Sequence, residues 1–285
     1  MLTRRSFIGT GLAALAATTL AACGNSGSSS SSSSSAASDS AQSQTLTVAA
    51  SPSPHAEILN NFAAPKLKEQ GIDLQTKEYT DYIIPNQVTS SGEVDANYFQ
   101  HINYLNNYND ENGTDLVGVA AIHYEPFGIY AGKSSDLANI ADGAQIAVPN
   151  DPTNEGRALL LLQQENLITL KDPDNLEATP VDIAENPHNL QFVEVEAAAV
   201  PRQLQDVDFA VINGNYAIEA GFHVKDAVAV ESKGGKAVEQ YANYIVTTPE
   251  KKDDDRIAAL VSVLTSDDFK QYLSDTYGQD VLPAF

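Results

Sequence analysis

From Thr45 to the C-terminus, strand-like and helix-like segments alternate along the chain, which points to an α/β fold with mainly parallel sheets. Thr45-Leu46-Thr47-Val48-Ala49-Ala50 reads as the first strand. Ser53 to Gln70 then places Ile58, Leu59, Phe62 and Leu67 at roughly helical spacing. Pro65 is expected to kink or divide that helix, and Gly71 to stop it. Further strands are predicted over 73–79, 116–122, 127–131, 145–149, 191–195, 209–213, 227–230 and 244–247. Helices are predicted over 99–108, 152–165, 215–220, 253–264 and 267–272. No fixed-period repeat is present.

The residues before Thr45 do not fit this pattern. Gly24 to Gln44 is dominated by Ser, unbroken from Ser28 to Ser35, and has almost nothing larger than Ala to bury. Such a stretch cannot offset its chain entropy, so 23–44 is expected to be a disordered tether with an r.m.s. span of roughly 25 Å. Residues 1–22 read as an export leader, with Arg4 and Arg5 ahead of an apolar stretch from Phe7 to Ala22. That stretch is too short to span a bilayer comfortably. Leu20-Ala21-Ala22-Cys23 resembles a lipoprotein lipobox, which makes Cys23 the expected lipidation site and the first mature residue. The paired arginines also resemble a twin-arginine export signal.

Charge and cysteine content exclude several function classes. The chain carries 16 Lys plus Arg against 38 Asp plus Glu, a net charge of -22, and losing the leader makes it more acidic still. Such a field repels phosphate backbones and anionic head groups, so nucleic acid is not an expected partner. One cysteine permits neither an internal disulfide nor a cysteine metal cluster.

The most informative stretch runs from Ala147 to Leu162. A strand ends, Asp151 can cap the next helix, Pro152 fits its first position, and a leucine-rich helix follows. The sequence predicts free N–H groups and the positive end of the helix dipole facing a crevice, ready for an anion. Arg157, about one and a half turns in, can grip a carboxylate through charge-assisted bonds of about 1.5–3 kcal/mol each. A surface arginine paired with one of the many acids is the plainer reading.

Asn150-Asp151-Pro152-Thr153-Asn154, then Gly156-Arg157, closely resembles the methionine-binding lipoproteins of the NlpA/MetQ family. Other blocks match in order: Asp81-Tyr82 with Pro85-Asn86, Asp95-Ala96-Asn97 with Phe99-Gln100-His101, Glu185-Asn186-Pro187, Pro201-Arg202, Ala210-Val211-Ile212-Asn213 with Tyr216-Ala217, and Tyr241 with Asn243. The resemblance runs from about Leu46 to the C-terminus.

The resemblance implies a two-lobed, periplasmic-binding-protein-like (type II) fold with hinge strands and a central ligand cleft. The second lobe (131–240) would be inserted into the first (45–130 plus 241–285). It implies a lipid-anchored receptor outside the cytoplasm, binding L- or D-methionine for an ABC permease and its ATPase, with no catalysis and no cofactor. Arg157 would meet the ligand carboxylate, Asn213 and Asn243 its polar ends, and Tyr82, Phe99 and His101 its thioether side chain. Arg157→Ala would then abolish binding and leave folding cooperative. The bland alternatives are core aromatics, a structural histidine, and asparagines at a helix cap and a strand edge.

The family varies around Glu125, which can bond an amino group and brings another small amino acid or a Met-containing dipeptide into view. A metal receptor is a further alternative, but His55, His101, His123, His188 and His223 are scattered, with only His123 and Glu125 on the same side of a strand. No nucleophile elbow or phosphate-binding glycine loop supports an enzyme. A purely structural surface lipoprotein would show no ligand-dependent stabilisation.

Overall fold

The computed structural model describes residues 44–232 and 235–285. The expected leader (1–22), the lipidation site Cys23 and the tether lie outside the described residues, except Gln44, which opens the first strand rather than ending the tether.

The strands fall into two main sheets. The first contains β1 (Gln44–Ala50), β2 (Ile72–Glu78), β3 (Ala96–His101), β4 (Val117–Tyr124) and, after a long excursion, β12 (Asn243–Thr247) and β13 (Leu282–Pro283), in the order β13-β4-β12-β3-β1-β2. The excursion supplies the second sheet: β5 (Gly128–Ala131), β6 (Gln145–Pro149), β9 (Gln191–Val195), β10 (Phe209–Ile212) and β11 (Ala229–Val230), ordered β11-β5-β10-β6-β9. A small hairpin pairs β7 (Thr169–Leu170) with β8 (Ile183–Glu185). Each main sheet has its own core. Leu46, Val48, Ile58, Tyr98, Ile245, Leu260 and Phe269 pack on the first, and Phe127, Ile146, Val148, Leu159, Leu162 and Phe209 on the second. The architecture is the expected two-lobed α/β fold, one sheet inserted in chain order between strands of the other.

The sheets are mixed rather than mainly parallel. β1 pairs in parallel with β2 and β3, and β6 with β9 and β10, whereas β12 and β13 run antiparallel to their neighbours in the first sheet, as does β5 in the second. β5 lies wholly in the second sheet, so the chain has already crossed over before residue 130, within 125–127. The chain returns to the first sheet between β11 and β12.

Two helix predictions change. The helix expected from Ser53 takes π-helical form at Pro52–Ala56 and Leu59–Ala63 and runs on as α1 (Ala64–Glu69), with Pro65 in the first turn of α1. The helix expected over 99–108 starts later, as α3 (Ile102–Asn112), because 96–101 form β3. All six residues of β3 are buried, yet Asn97 and Gln100 are amides. They are satisfied by α2 (Ile84–Ser90): Asn97 donates to Asn86 Oδ1 (3.0 Å) and Thr89 Oγ1 (2.8 Å), and Asn86 and Gln100 donate to each other (2.9 and 2.6 Å). The register explains how both amides reach α2. Tyr98 pairs with Ile245 and Gln100 with Tyr244, so Phe99 is the extra residue of a β-bulge.

Candidate functional site

β6 ends at Pro149, and α4 (Pro152–Gln164) starts after Asp151, with Leu159, Leu161 and Leu162 buried. The cap is as predicted: Asp151 Oδ1 accepts the Asn154 N–H at 3.0 Å. The ready anion site is not. Asp151's own carboxylate occupies the helix end, and it also takes both amide protons of Asn154 (2.8 and 3.0 Å).

Tyr82, Phe99, His101, Arg157, Asn213 and Asn243, far apart in sequence, line one cleft between the two sheets, together with Gln100, Tyr104, Glu125, Asn154, Gly214 and Asn215. The second six were not singled out as site residues, although Asn154 stands inside the most informative motif and Glu125 was set aside.

The aromatic side of the cleft is built mainly by the first lobe. The Phe99 ring, at the bulge, lies 5.8 Å from Tyr82 and 5.9 Å from Tyr104, and Tyr216 of α6 (Gly214–Glu219) closes on Tyr82 at 5.0 Å. Tyr82 donates to Asn215 Oδ1 (2.5 Å), a bond between lobes. His101 caps α3: its Nδ1 accepts the Tyr104 N–H at 3.1 Å, which leaves Nε2 to donate to Asn154 Oδ1 at 3.3 Å, again between lobes. Burial, and then the nearby Arg157 charge, push His101 down to about 3, so it is a neutral hydrogen-bonding group at physiological pH.

The polar side holds Arg157, whose guanidinium lies over the rings of Tyr241 (4.2 Å) and Phe127 (4.7 Å). Burial opposes its charge, but the neighbouring Glu231 carboxylate outweighs it and keeps the guanidinium protonated. Asn213 donates to Asn154 Oδ1 at 2.7 Å. Two buried polar atoms of residues lining the cleft have no hydrogen-bond partner among the described residues: Asn213 Oδ1 and Asn215 Nδ2. Such atoms are costly to bury and mark where a polar ligand would be held.

The histidines expected to be scattered are not all so. His55, in the turn after β1, lies beside His123 and Glu125, and these three offer ligand atoms within 4.8 Å of one another. Among the described residues this is the group that could hold a metal ion. As it stands, protons link its members. His123 Nε2 is bonded to Glu125 Oε1 at 2.7 Å, Tyr98 OH to His123 Nδ1, and His55 Nε2 to Asn243 Oδ1 at 3.1 Å. Burial lowers His123 to about 3 and His55 to about 4.

A buried neutral histidine gives a signed prediction. The unfolded chain takes up a proton at His55 below about pH 6.5, while the folded one does not until about pH 4, so its stabilisation is complete above 6.5 and is lost as pH falls towards 4. Glu125, pushed up by burial, acts in the opposite sense, so the useful measurement is a difference between proteins. His55→Gln should flatten the slope of unfolding free energy against pH by about 1.4 kcal/mol per unit in that window. Urea unfolding from pH 4 to 7 measures it, and coincident slopes would refute the assignment.

The NlpA lipoprotein family model matches residues 46–285, almost all of the described chain. The methionine-binding lipoprotein MetQ of Bacillus subtilis (strain 168) is 38% identical over 244 residues, 84% of this chain and 87% of that one. Among solved structures, a lipoprotein from Ruminococcus gnavus ATCC 29149 is 50% identical, with a TM-score of 0.82 over 84% of this chain and 99% of its own. A nutrient binding protein from Burkholderia cenocepacia, bound to methionine, is 37% identical, with a TM-score of 0.79 over 84% of this chain and all of its own. A family model that spans both sheets and every residue of the cleft leaves one conclusion: the chain belongs to the NlpA lipoprotein family.

Proposed function

We propose that this protein is the extracytoplasmic, lipid-anchored receptor of an ABC importer, that it binds methionine, and that it delivers the ligand to the membrane permease while a cytoplasmic ATPase powers release. One observation carries the reading: an interlobe cleft holds a buried guanidinium, an orphaned donor and an orphaned acceptor, and a wall of rings. A free amino acid needs both charged ends satisfied when it leaves water. In this reading Arg157 and Asn215 Nδ2 receive the carboxylate, Asn213 Oδ1 receives the ammonium, and Asn243 completes the polar wall. Tyr82 and Phe99 pack the thioether, a contact of about 0.3–1.5 kcal/mol per ring. His101 serves the wall by holding Asn154 in place.

The two lobes would close as a hinged clamp about the two crossings. The anchor at Cys23 would keep the receptor beside its permease. The family name and the lipobox-like residues support that anchor, and no helix among the described residues is long and apolar enough to cross a membrane. The role is binding, with no catalytic step.

Methionine at 100 times its dissociation constant should stabilise the protein by roughly 2.7 kcal/mol, read as a rise in melting temperature. Glutamate and glucose should give none. Phe99→Ala should lose most of the rise, because it removes the ring that the bulge presents to the cleft. Screening L- and D-methionine beside methionyl dipeptides identifies the preferred form. A melting temperature unmoved by all of them would end the proposal.

A further inference from the structure

An arginine at the centre of a binding cleft would by itself make that cleft cationic and attract any carboxylic acid. Here it does not stand alone. Glu231, the first residue after β11 and itself buried, meets Arg157 edge-on: Nε donates to Oε2 at 3.0 Å, and Nη2 donates to Oε1. The same Oε1 accepts Tyr124 OH at 2.6 Å and the Phe127 N–H at 2.8 Å. Glu231 thus ties the return crossing of the chain to the outward one. Arg157 Nη2 is also spent on the Glu125 carbonyl at 3.1 Å, so Nη1 is the guanidinium nitrogen without a partner among the described residues.

We propose that Glu231 is a positioning residue that sets the charge selectivity of the cleft: it fixes Arg157 so that one edge of its fork is presented to the ligand, and it cancels the arginine's charge so that a zwitterion is accepted and a plain carboxylate is not. This rests on the amino-acid-binding reading above. The other ionisable groups of the cleft strengthen the bias. His101 is neutral, and Glu125 contributes a carboxyl group beside Asn213 and Asn215. A carboxylic acid without an ammonium group therefore meets no net positive field, whereas an amino acid brings its own cation to the orphaned acceptor and the acidic side of the cleft.

The test compares L-methionine with 4-(methylthio)butanoate, the same molecule without its amino group, by calorimetry. The wild type should prefer methionine by a wide margin. Glu231→Gln keeps the side chain's shape and removes its charge, and Glu231→Ala leaves room for water behind the arginine. Each should shrink that preference by about tenfold or more, since a unit charge a few ångströms from the ligand is uncovered. Glu231→Asp, which keeps the charge, should hold the wild-type preference within about threefold.

A merely structural residue would weaken both ligands together and leave their ratio alone. An unchanged ratio in the Gln and Ala variants overturns the inference while the receptor reading stands. If neither variant folds, a wild type that binds the two ligands within about threefold overturns it equally. A wild type that binds no amino acid at all sinks the receptor reading and this inference with it.

Discussion

Arg157→Met alone should abolish ligand-dependent stabilisation and also cost about 3–5 kcal/mol of folding free energy, because it strands Glu231 as a buried, unpaired carboxylate. The family resemblance suggested that Arg157→Ala abolishes binding and leaves folding cooperative. The buried pair adds a cost in stability: Arg157 is both a proposed ligand contact and the counter-ion of a carboxylate that joins two crossings of the chain. The double variant Arg157→Met with Glu231→Gln should recover most of the stability. The glutamine oxygen can still accept from Tyr124 and the Phe127 N–H, and no buried charge remains. It should stay blind to methionine. Urea unfolding and calorimetry on the three proteins separate the two effects. A single variant as stable as the wild type would show that Glu231 does not depend on its partner.

Gly156→Ala should cost about 3 kcal/mol, near the upper end of the usual overpacking range. The reason is a close approach, not a special backbone angle. A methyl carbon at residue 156 would sit 2.2 Å from the Leu176 carbonyl oxygen and 2.7 Å from its carbon, both backbone atoms that cannot turn aside. Either α4 or the 172–178 loop must move, and a shift of α4 displaces Arg157, the next residue. Affinity for methionine should therefore fall even in the molecules that remain folded. Stability within about 0.5 kcal/mol of the wild type, a typical surface-substitution effect, would mean that the loop yields freely.

The strand-to-helix junction at Pro149–Pro152 was legible because capping and the proline position act locally, and β6 and β9 occupy the very residues expected of them. The six residues named from family resemblance do line one cleft. Periodicity alone could not have gathered them, since they come from both lobes. β3 was misread as the start of a helix for two physical reasons. Its buried amides break the apolar signal, and its bulge breaks the two-residue period on which strand reading depends. Glu231 was missed because its partner lies 74 residues away, and no local pattern encodes such a pairing. His55 was missed in the same way, its contact with Asn243 spanning 188 residues.

The amide lattice behind Phe99 has a consequence for how this cleft can change over time. Sliding β3 by a single residue would swap its faces and leave Asn86, Asn97 and Gln100 without one another inside the core. The strand is therefore indexed like a key against its ward, and the wall it carries cannot be retuned by slippage. New ligand preferences are more accessible through exchanges of the rings at Tyr82 and Phe99, whose replacement leaves the three amides paired.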